Sequence, residues 1–260
     1  METNYRSGQV ILINKPLRWT SFAAVNKLKW AITNSPAWKA ELQLWNVEHE
    51  LQYKKTLERQ PKFKLPKLSL KIGHAGTLDP LATGLLIICT GKKTKEIESY
   101  QAQQKEYTGT IFLGATTPCY DLEQEPDAFF ETAHITPAMI AAATKQFTGK
   151  ILQAPPAHSA VMIEGQRAYD LARSGNAPVM KEKEITIYEF EITAVEMPLV
   201  KFRVVCSKGT YIRSLANDFG KALNSGGYLA ELCRTRIGNF LLKDAFSIQG
   251  YLESLAVAQL

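Results

Sequence analysis

Most of the features that announce a metal, a prosthetic group or a membrane are scarce or missing in this chain. Its 260 residues hold only four cysteines, Cys89, Cys119, Cys206 and Cys233, and no two form a CxxC pair, so neither a disulfide scaffold nor a zinc ribbon is expected. The four histidines, His49, His74, His134 and His158, fall into neither HxxxH nor HExxH spacing, and no metal site is expected from them. No charge-free stretch approaches the roughly 18 to 20 apolar residues of a membrane span. The opening METNYRSGQVILINKP carries an acid at position 2 and reaches Lys15 after a short apolar run. That order is wrong for a secretory signal, and a cytoplasmic protein with no membrane partner is expected. Neither GxxxxGK[ST] nor GxGxxG can be fitted anywhere, and there is no internal repeat.

What remains is ordinary globular material, 45% hydrophobic and 22% charged, enough to bury a sizeable core. The net charge of +6 is unevenly spread. Gln52 to Lys71, QYKKTLERQPKFKLPKLSLK, carries seven Lys or Arg against the single acid Glu58. Pro61 and Pro66 forbid a continuous helix there, and the stretch reads either as a solvated basic loop or as a phosphate-contacting one. Asp121 to Glu131, DLEQEPDAFFE, is the reverse, with five acids and no base, and reads as a surface loop that nucleic acid would avoid.

Periodicity sketches the elements. Val10 to Asn14 reads as a short buried strand. Thr20 or Ser21 can cap a helix with Phe22, Val25, Leu28 and Ile32 on its apolar face, ending near Asn34-Ser35-Pro36. Trp19, Trp30, Trp38 and Trp45 read as local packing. Leu85 to Cys89, between Gly84 and Gly91, has the continuous apolar character of a central strand, and Lys105 to Leu113 follows as another. Thr136-Pro137 starts a helix; Ile185 to Ile192 and Lys201 to Cys206 alternate as half-buried strands; Thr210 can cap a helix bearing Ile212, Leu215, Ala216, Phe219 and Leu223. Adjacent strands with irregularly placed helices argue for an α+β fold with a mixed, mostly antiparallel sheet rather than a regular βαβ array.

The densest signal is GHAGTLDPLATG, residues 73 to 84, where closely spaced glycines and a proline after Asp79 describe a tight loop presenting one carboxylate at the mouth of a strand. This segment resembles the catalytic motif of the TruB family of tRNA pseudouridine-55 synthases. Further segments resemble the family in the same order: INKPLRWTS, KEYTGTIFLG, APPAHSAVMIEGQRAYDLAR, CSKGTYIRSLANDFG and GGYLAELCRTRIGNF. Together they span roughly residues 9 to 248.

The resemblance implies a pseudouridine synthase fold in one catalytic domain over 1–260, with a thumb segment at about 151–176. It implies isomerisation of the uridine at position 55 of the tRNA T loop, with Asp79 as the catalytic carboxylate. Arg213 would pair with that aspartate, and Tyr107 would stack on the target base. His74, Tyr211, Leu232 and Lys15 are the expected substrate contacts. No cofactor is expected, because the reaction exchanges an N1–ribose bond for a C5–ribose bond without net redox change. The expected partner is the T arm of tRNA, with no obligate protein partner and a monomeric chain. A tRNA-folding chaperone, or a synthase acting on another structured RNA, are the alternatives.

Departures from the family pattern are also visible. About thirty residues, near 34–70, are inserted between the first two motifs, Met162 stands where the family usually has lysine, and Arg18 replaces a glycine. Few residues follow Ser247, so a C-terminal PUA domain is not expected.

Overall fold

The computed structural model describes residues 4–59, 68–159, 161–163, 165–174, 176 and 178–257. They group into two compact units. One holds the chain up to Pro80, Gly84–Gln101 and the residues from Leu242 onward; the other holds Leu81–Thr83 and Ala102–Leu241. The elements run in chain order through β1 (Val10–Lys15), α1 (Ser21–Asn34), α2 (Pro36–Arg59), β2 (Ile72–Ala75), β3 (Ala82–Thr90) and α3 (Ile97–Ala102). Next come β4 (Lys105–Leu113), β5 (Ala115–Thr116), β6 (Ala128–Phe129), α4 (Pro137–Gln146), β7 (Gly149–Gln153), β8 (Met162–Ile163), β9 (Gln166–Arg167) and α5 (Ala168–Arg173). The chain closes with β10 (Lys183–Glu196), β11 (Leu199–Cys206), α6 (Ile212–Ala222), β12 (Gly227–Ile237), β13 (Phe240–Leu241), β14 (Phe246–Ser247) and α7 (Ile248–Val257).

In the first unit β3 is central, with every residue from Leu85 to Cys89 fully buried. Strand β1 runs antiparallel to it from Val10↔Cys89 to Lys15↔Gly84, β2 pairs antiparallel at Ile72↔Thr90, and β14 adds a parallel edge to β1. The parallel β1–β14 pair beside antiparallel ones makes the sheet mixed, and the class is α+β as expected. Thr20 caps α1 by accepting the Ala23 N–H at 3.0 Å. The buried face of α1 is Ser21, Ala24, Val25, Leu28, Ala31 and Ile32. Phe22 is 69% exposed, so its expected place in the apolar stripe is corrected: the stripe lies one position earlier, on a serine that packs inward because its hydroxyl finds partners.

Pro36 stops α1 and opens α2, consistent with a residue that has no N–H to give at a first helical turn. Helix α2 runs through the first part of the basic stretch to Arg59, just short of Pro61; Gln60 to Lys67 lie outside the described residues. Trp38 and Trp45 are buried as expected. Trp30 is not: it is largely exposed, with the Lys27 ammonium 5.2 Å over its ring. The Glu41 carboxylate on α2 accepts the backbone N–H groups of Tyr5 at 2.6 Å and Arg6 at 3.1 Å, tying the N-terminal segment down.

The second unit is built on β4, flanked antiparallel by β12 and β11, with β10 and β7 continuing the sheet. Its core includes Phe202, Phe190 and Phe219, with ring centroids 6.0 Å apart for Phe190 and Phe202 and 5.5 Å for Phe190 and Phe219. Thr210 does not cap α6. Its hydroxyl donates to the Ser207 carbonyl, and Tyr211 occupies the cap position. At the other end of α6 the helix approaches the sheet so closely that a Cβ on Gly220 would stand 2.4 Å from the Gly227 nitrogen. The last glycine of GTYIRSLANDFG is therefore a packing requirement, met by two glycines facing each other. Gly220→Ala is expected to cost about 2 kcal/mol or more, in the upper range of overpacking penalties. Urea unfolding checks this, and a loss below about 0.5 kcal/mol would mean that α6 shifts freely.

Candidate active site

The loop that carries Asp79 is held by the first motif. The Ser21 hydroxyl accepts the Leu78 N–H at 2.8 Å and donates to the Leu78 carbonyl at 3.1 Å, so one side chain satisfies both backbone groups of the residue before the aspartate. The Arg18 N–H donates to the carbonyl of Pro80, the residue after it, at 2.7 Å. Leu78 anchors the loop from beneath at 3% exposure, and Gly76 turns it at φ +89°, where other residues are strained. Asp79 itself is half-buried, and His74 precedes the loop on β2, also half-buried and in register with Ile88. The result is one carboxylate on a backbone fixed on both sides.

Lys15, an expected substrate contact, lies inside the fold. It is fully buried, and its ammonium donates to the carbonyls of Pro16 at 2.9 Å and Trp19 at 2.6 Å. Its role is to shape the turn from which Arg18 and Ser21 reach the aspartate loop. Arg18 adopts φ 64° there, the left-handed region natural to the glycine it replaces, at a cost of about 1 kcal/mol.

In the second unit Arg213 is a hub. It is 6% exposed, and its Nη1 donates to the carbonyls of Cys119 at 3.2 Å and His158 at 3.1 Å, while Nε lies 3.6 Å from Asp121 Oδ2. One guanidinium thus joins the loop after β5 to the thumb segment. Burial, then the charge of Arg213, lowers the His158 pKa and favours the neutral imidazole. Tyr211 is braced beside it: its N–H donates to Gln153 Oε1 at 2.8 Å, and Gln153 Nε2 donates back to its carbonyl at 3.1 Å. Tyr107 lies on β4 at 9% exposure and pairs with Arg234, while Leu232 pairs with Gly109, so Tyr107 and Leu232 are diagonal neighbours on adjacent strands. The Thr83 hydroxyl donates to the Leu232 carbonyl at 3.3 Å.

Reasoning from sequence missed three of these residues. Ser21 reads as a helix cap, and nothing local shows that its hydroxyl serves a loop 57 residues away. Gln153 has no signal beyond standing at the start of the thumb. Asp121 was placed in a solvent-facing acidic loop, but it is 3% exposed. Its Oδ1 accepts the Glu123 N–H at 3.0 Å and its carbonyl accepts the Thr117 hydroxyl at 2.7 Å. The rest of that run, including Phe129 at 79% exposure, does face solvent. Among the described residues no group of three or more His, Cys, Asp or Glu is placed to hold a metal, and no helix is long and apolar enough to cross a membrane.

The sheet and flanking helices are those of a pseudouridine synthase. The chain superposes on a chain of a Cbf5-Nop10-Gar1 complex with a TM-score of 0.63 at 24% identity, over 96% of this chain and 54% of that one. A chain of the archaeal box H/ACA sRNP Nop10-Cbf5 complex gives 0.61 at 23%, with the same coverage. A family model described as TruB family pseudouridylate synthase (N terminal domain) matches residues 62–212. Sequence relatives include a tRNA pseudouridine synthase B of Flavobacterium johnsoniae, 52% identical over 96% of this chain and 97% of its own. Another, from Phocaeicola vulgatus, is 46% identical over 97% and 95%. The chain belongs to the TruB family of pseudouridylate synthases.

Two outcomes follow, one from the hydrogen bonds of Ser21 and one from the burial of Lys105. Ser21→Ala leaves both buried backbone groups of Leu78 without their partner, and is expected to cost about 1 to 3 kcal/mol and to speed amide exchange at Leu78 and Asp79. Unchanged exchange there would show that the loop holds itself. Lys105, which starts β4 at 6% exposure, is lowered to about 8 by burial and then by the Arg234 guanidinium. Its unfolded pKa lies near 10.5, so between pH 8 and 10.5 the unfolded chain binds more protons and stability from this group rises with pH. Lys105→Met should flatten that rise in urea midpoints measured across the interval; an unaltered profile would place the rise elsewhere.

Proposed function

We propose that this protein isomerises the uridine at position 55 of the tRNA T loop to pseudouridine, as a single catalytic chain acting on the T arm in the cytoplasm. The observation that carries the reading is Asp79 fixed at both neighbouring residues by the first motif, in a chain 52% identical, nearly end to end, to a tRNA pseudouridine synthase B.

The chemistry suits what this chain offers. The bond between N1 and C1′ of the ribose breaks, the base turns, C5 bonds to C1′, and the C5 proton leaves; atoms balance and no electrons are exchanged with another molecule. A hydrolase would bring a water to the broken bond, and this reaction must exclude it. One carboxylate held still, facing a nucleotide drawn out of its stack, is the minimal equipment. We assign Asp79, Arg213 and Tyr107 as the reacting set. His74, Tyr211 and Leu232 are assigned to holding the RNA. Arg213, whose Nη1 and Nε are committed to Cys119, His158 and Asp121, offers a guanidinium that needs no reorganisation during the reaction.

The test uses an unmodified T-arm hairpin and carbodiimide-dependent primer extension. A stop at the T-loop target and nowhere else is expected with the intact protein. Asp79→Asn should bind the hairpin within a few-fold and convert none of it. Residual activity above about one per cent of the parent, a barrier change under about 3 kcal/mol, would remove Asp79 from its role. Tight binding without conversion by the intact protein would instead favour a folding chaperone.

A further inference from the structure

A cavity of about 300 Å³ lies in the first unit, lined by Tyr5, Arg6, Trp38, residues 68–71, Gly91, Lys92, Thr94 and Lys95. None of the residues of the aspartate loop lines it. Its composition is one-sided: Arg6, Lys71, Lys92 and Lys95 are cations, and no acid is present. Lys71, Lys92 and Lys95 are exposed and form no ion pair among the described residues. Neighbouring Lys93 is different, since Glu96 accepts from its ammonium at 2.8 Å. Arg6 reaches Glu48 only at 3.9 Å. The lining also includes the buried side chains of Trp38, Tyr5 and Leu70, all below 5% exposure.

Both ends of the inserted segment border this cavity. Trp38 belongs to the first turn of α2, and Leu68 to Lys71 are the last residues of the basic stretch, so the two ends of the insertion close on each other here. The Gly91 N–H donates to the Lys71 carbonyl at 2.9 Å and the Lys92 N–H to the Arg6 carbonyl at 3.3 Å, which fixes the walls. Cations beside buried aromatic and apolar side chains suit a ligand with a phosphate at one end and a base at the other. The volume holds one nucleotide and excludes a helix. Of the basic stretch, Leu68 to Lys71 form part of this cavity's wall, and Lys71 brings its charge there.

We propose that this cavity is a second RNA site, which takes a nucleotide of the tRNA lying outside the T arm. The inference rests on tRNA being the substrate. It assigns the insertion a role in choosing full-length tRNA over an isolated hairpin, through phosphate contacts that carry no part in the chemistry.

The experiment compares full-length tRNA transcript with the T-arm hairpin, using the double variant Lys71→Gln, Lys95→Gln. With full-length tRNA the affinity should fall about tenfold at 0.15 M salt, and the log–log salt slope should flatten by about 1.5. Hairpin affinity and conversion should match the parent, which also shows that the variant folds. In the parent protein, acetylation of Lys71, Lys92 and Lys95 should be blocked by full-length tRNA and not by the hairpin or by uridine monophosphate. An unchanged salt slope with full-length tRNA overturns the proposal, as does an equal loss for both RNAs or protection by the mononucleotide alone. Protection by full-length tRNA with no conversion of either RNA would overturn the synthase reading and leave this site standing.

Discussion

The constraint on which the first unit's chemistry depends is a pair of hydrogen bonds to one hydroxyl. Ser21 stands at the start of α1, and its Oγ holds both the N–H and the carbonyl of Leu78. A loop of this kind, outside regular secondary structure, would otherwise sample many conformations, and each would aim the carboxylate differently. The serine costs α1 little, because a helix start tolerates an inward hydroxyl that finds partners. Burial does the rest: Leu78 at 3% exposure cannot leave without uncovering apolar surface and two unpaired backbone groups. The aim of the Asp79 carboxylate is therefore a property of packing between the first and second motifs, and the motif that carries the aspartate is insufficient to position it.

The second unit solves a related problem with charge. Arg213 is taken out of water almost entirely, which is costly for a guanidinium unless its donors are used. Nη1 donates to two carbonyls, and the charge faces a buried carboxylate at 3.6 Å; together these contacts fasten the Cys119–Asp121 loop and the thumb residue His158 to the first turn of α6. Tyr120, between the two residues that face the arginine, is held at φ 64°, and its carbonyl accepts the Leu229 N–H at 2.9 Å. Strain of about 1 kcal/mol at that residue is stable only because both its neighbours are pinned. Gln153 applies the same logic to Tyr211 without charge, pairing an amide with both backbone groups of the residue two positions before Arg213.

Much of this was legible in the sequence, and the parts that were not share a cause. Strands β1, β3 and β4 and the start of α1 follow from local periodicity and capping chemistry, which act within a few residues. The α+β class follows from their order. What periodicity cannot see is a polar side chain that goes inward to meet something distant. Phe22 was assigned to the buried face because it is apolar, and Ser21 was not, although the serine is the residue with a partner inside. Nothing local shows that the Lys15 ammonium donates to two carbonyls within four residues. Asp121 was grouped with Glu123, Glu125, Asp127 and Glu131 by charge alone, and the one acid in that run that matters to the site was hidden by its neighbours. In each case the deciding fact is the identity of a hydrogen-bond partner.

Arg18 shows why the arrangement tolerates change at one of its contacts. Its contribution to the aspartate loop is the backbone N–H that meets Pro80, and its side chain is exposed. Any residue except proline supplies that N–H, so the position constrains only the backbone angle. A glycine meets the angle without strain but loses more entropy on folding; an arginine is strained by about 1 kcal/mol and loses less. The two terms are of similar size and opposite sign, and either residue can stand there. A β-branched residue would combine greater strain with no compensating gain. Ser21 admits no such exchange, because there the contact is made by the side chain, and a single atom must both donate and accept.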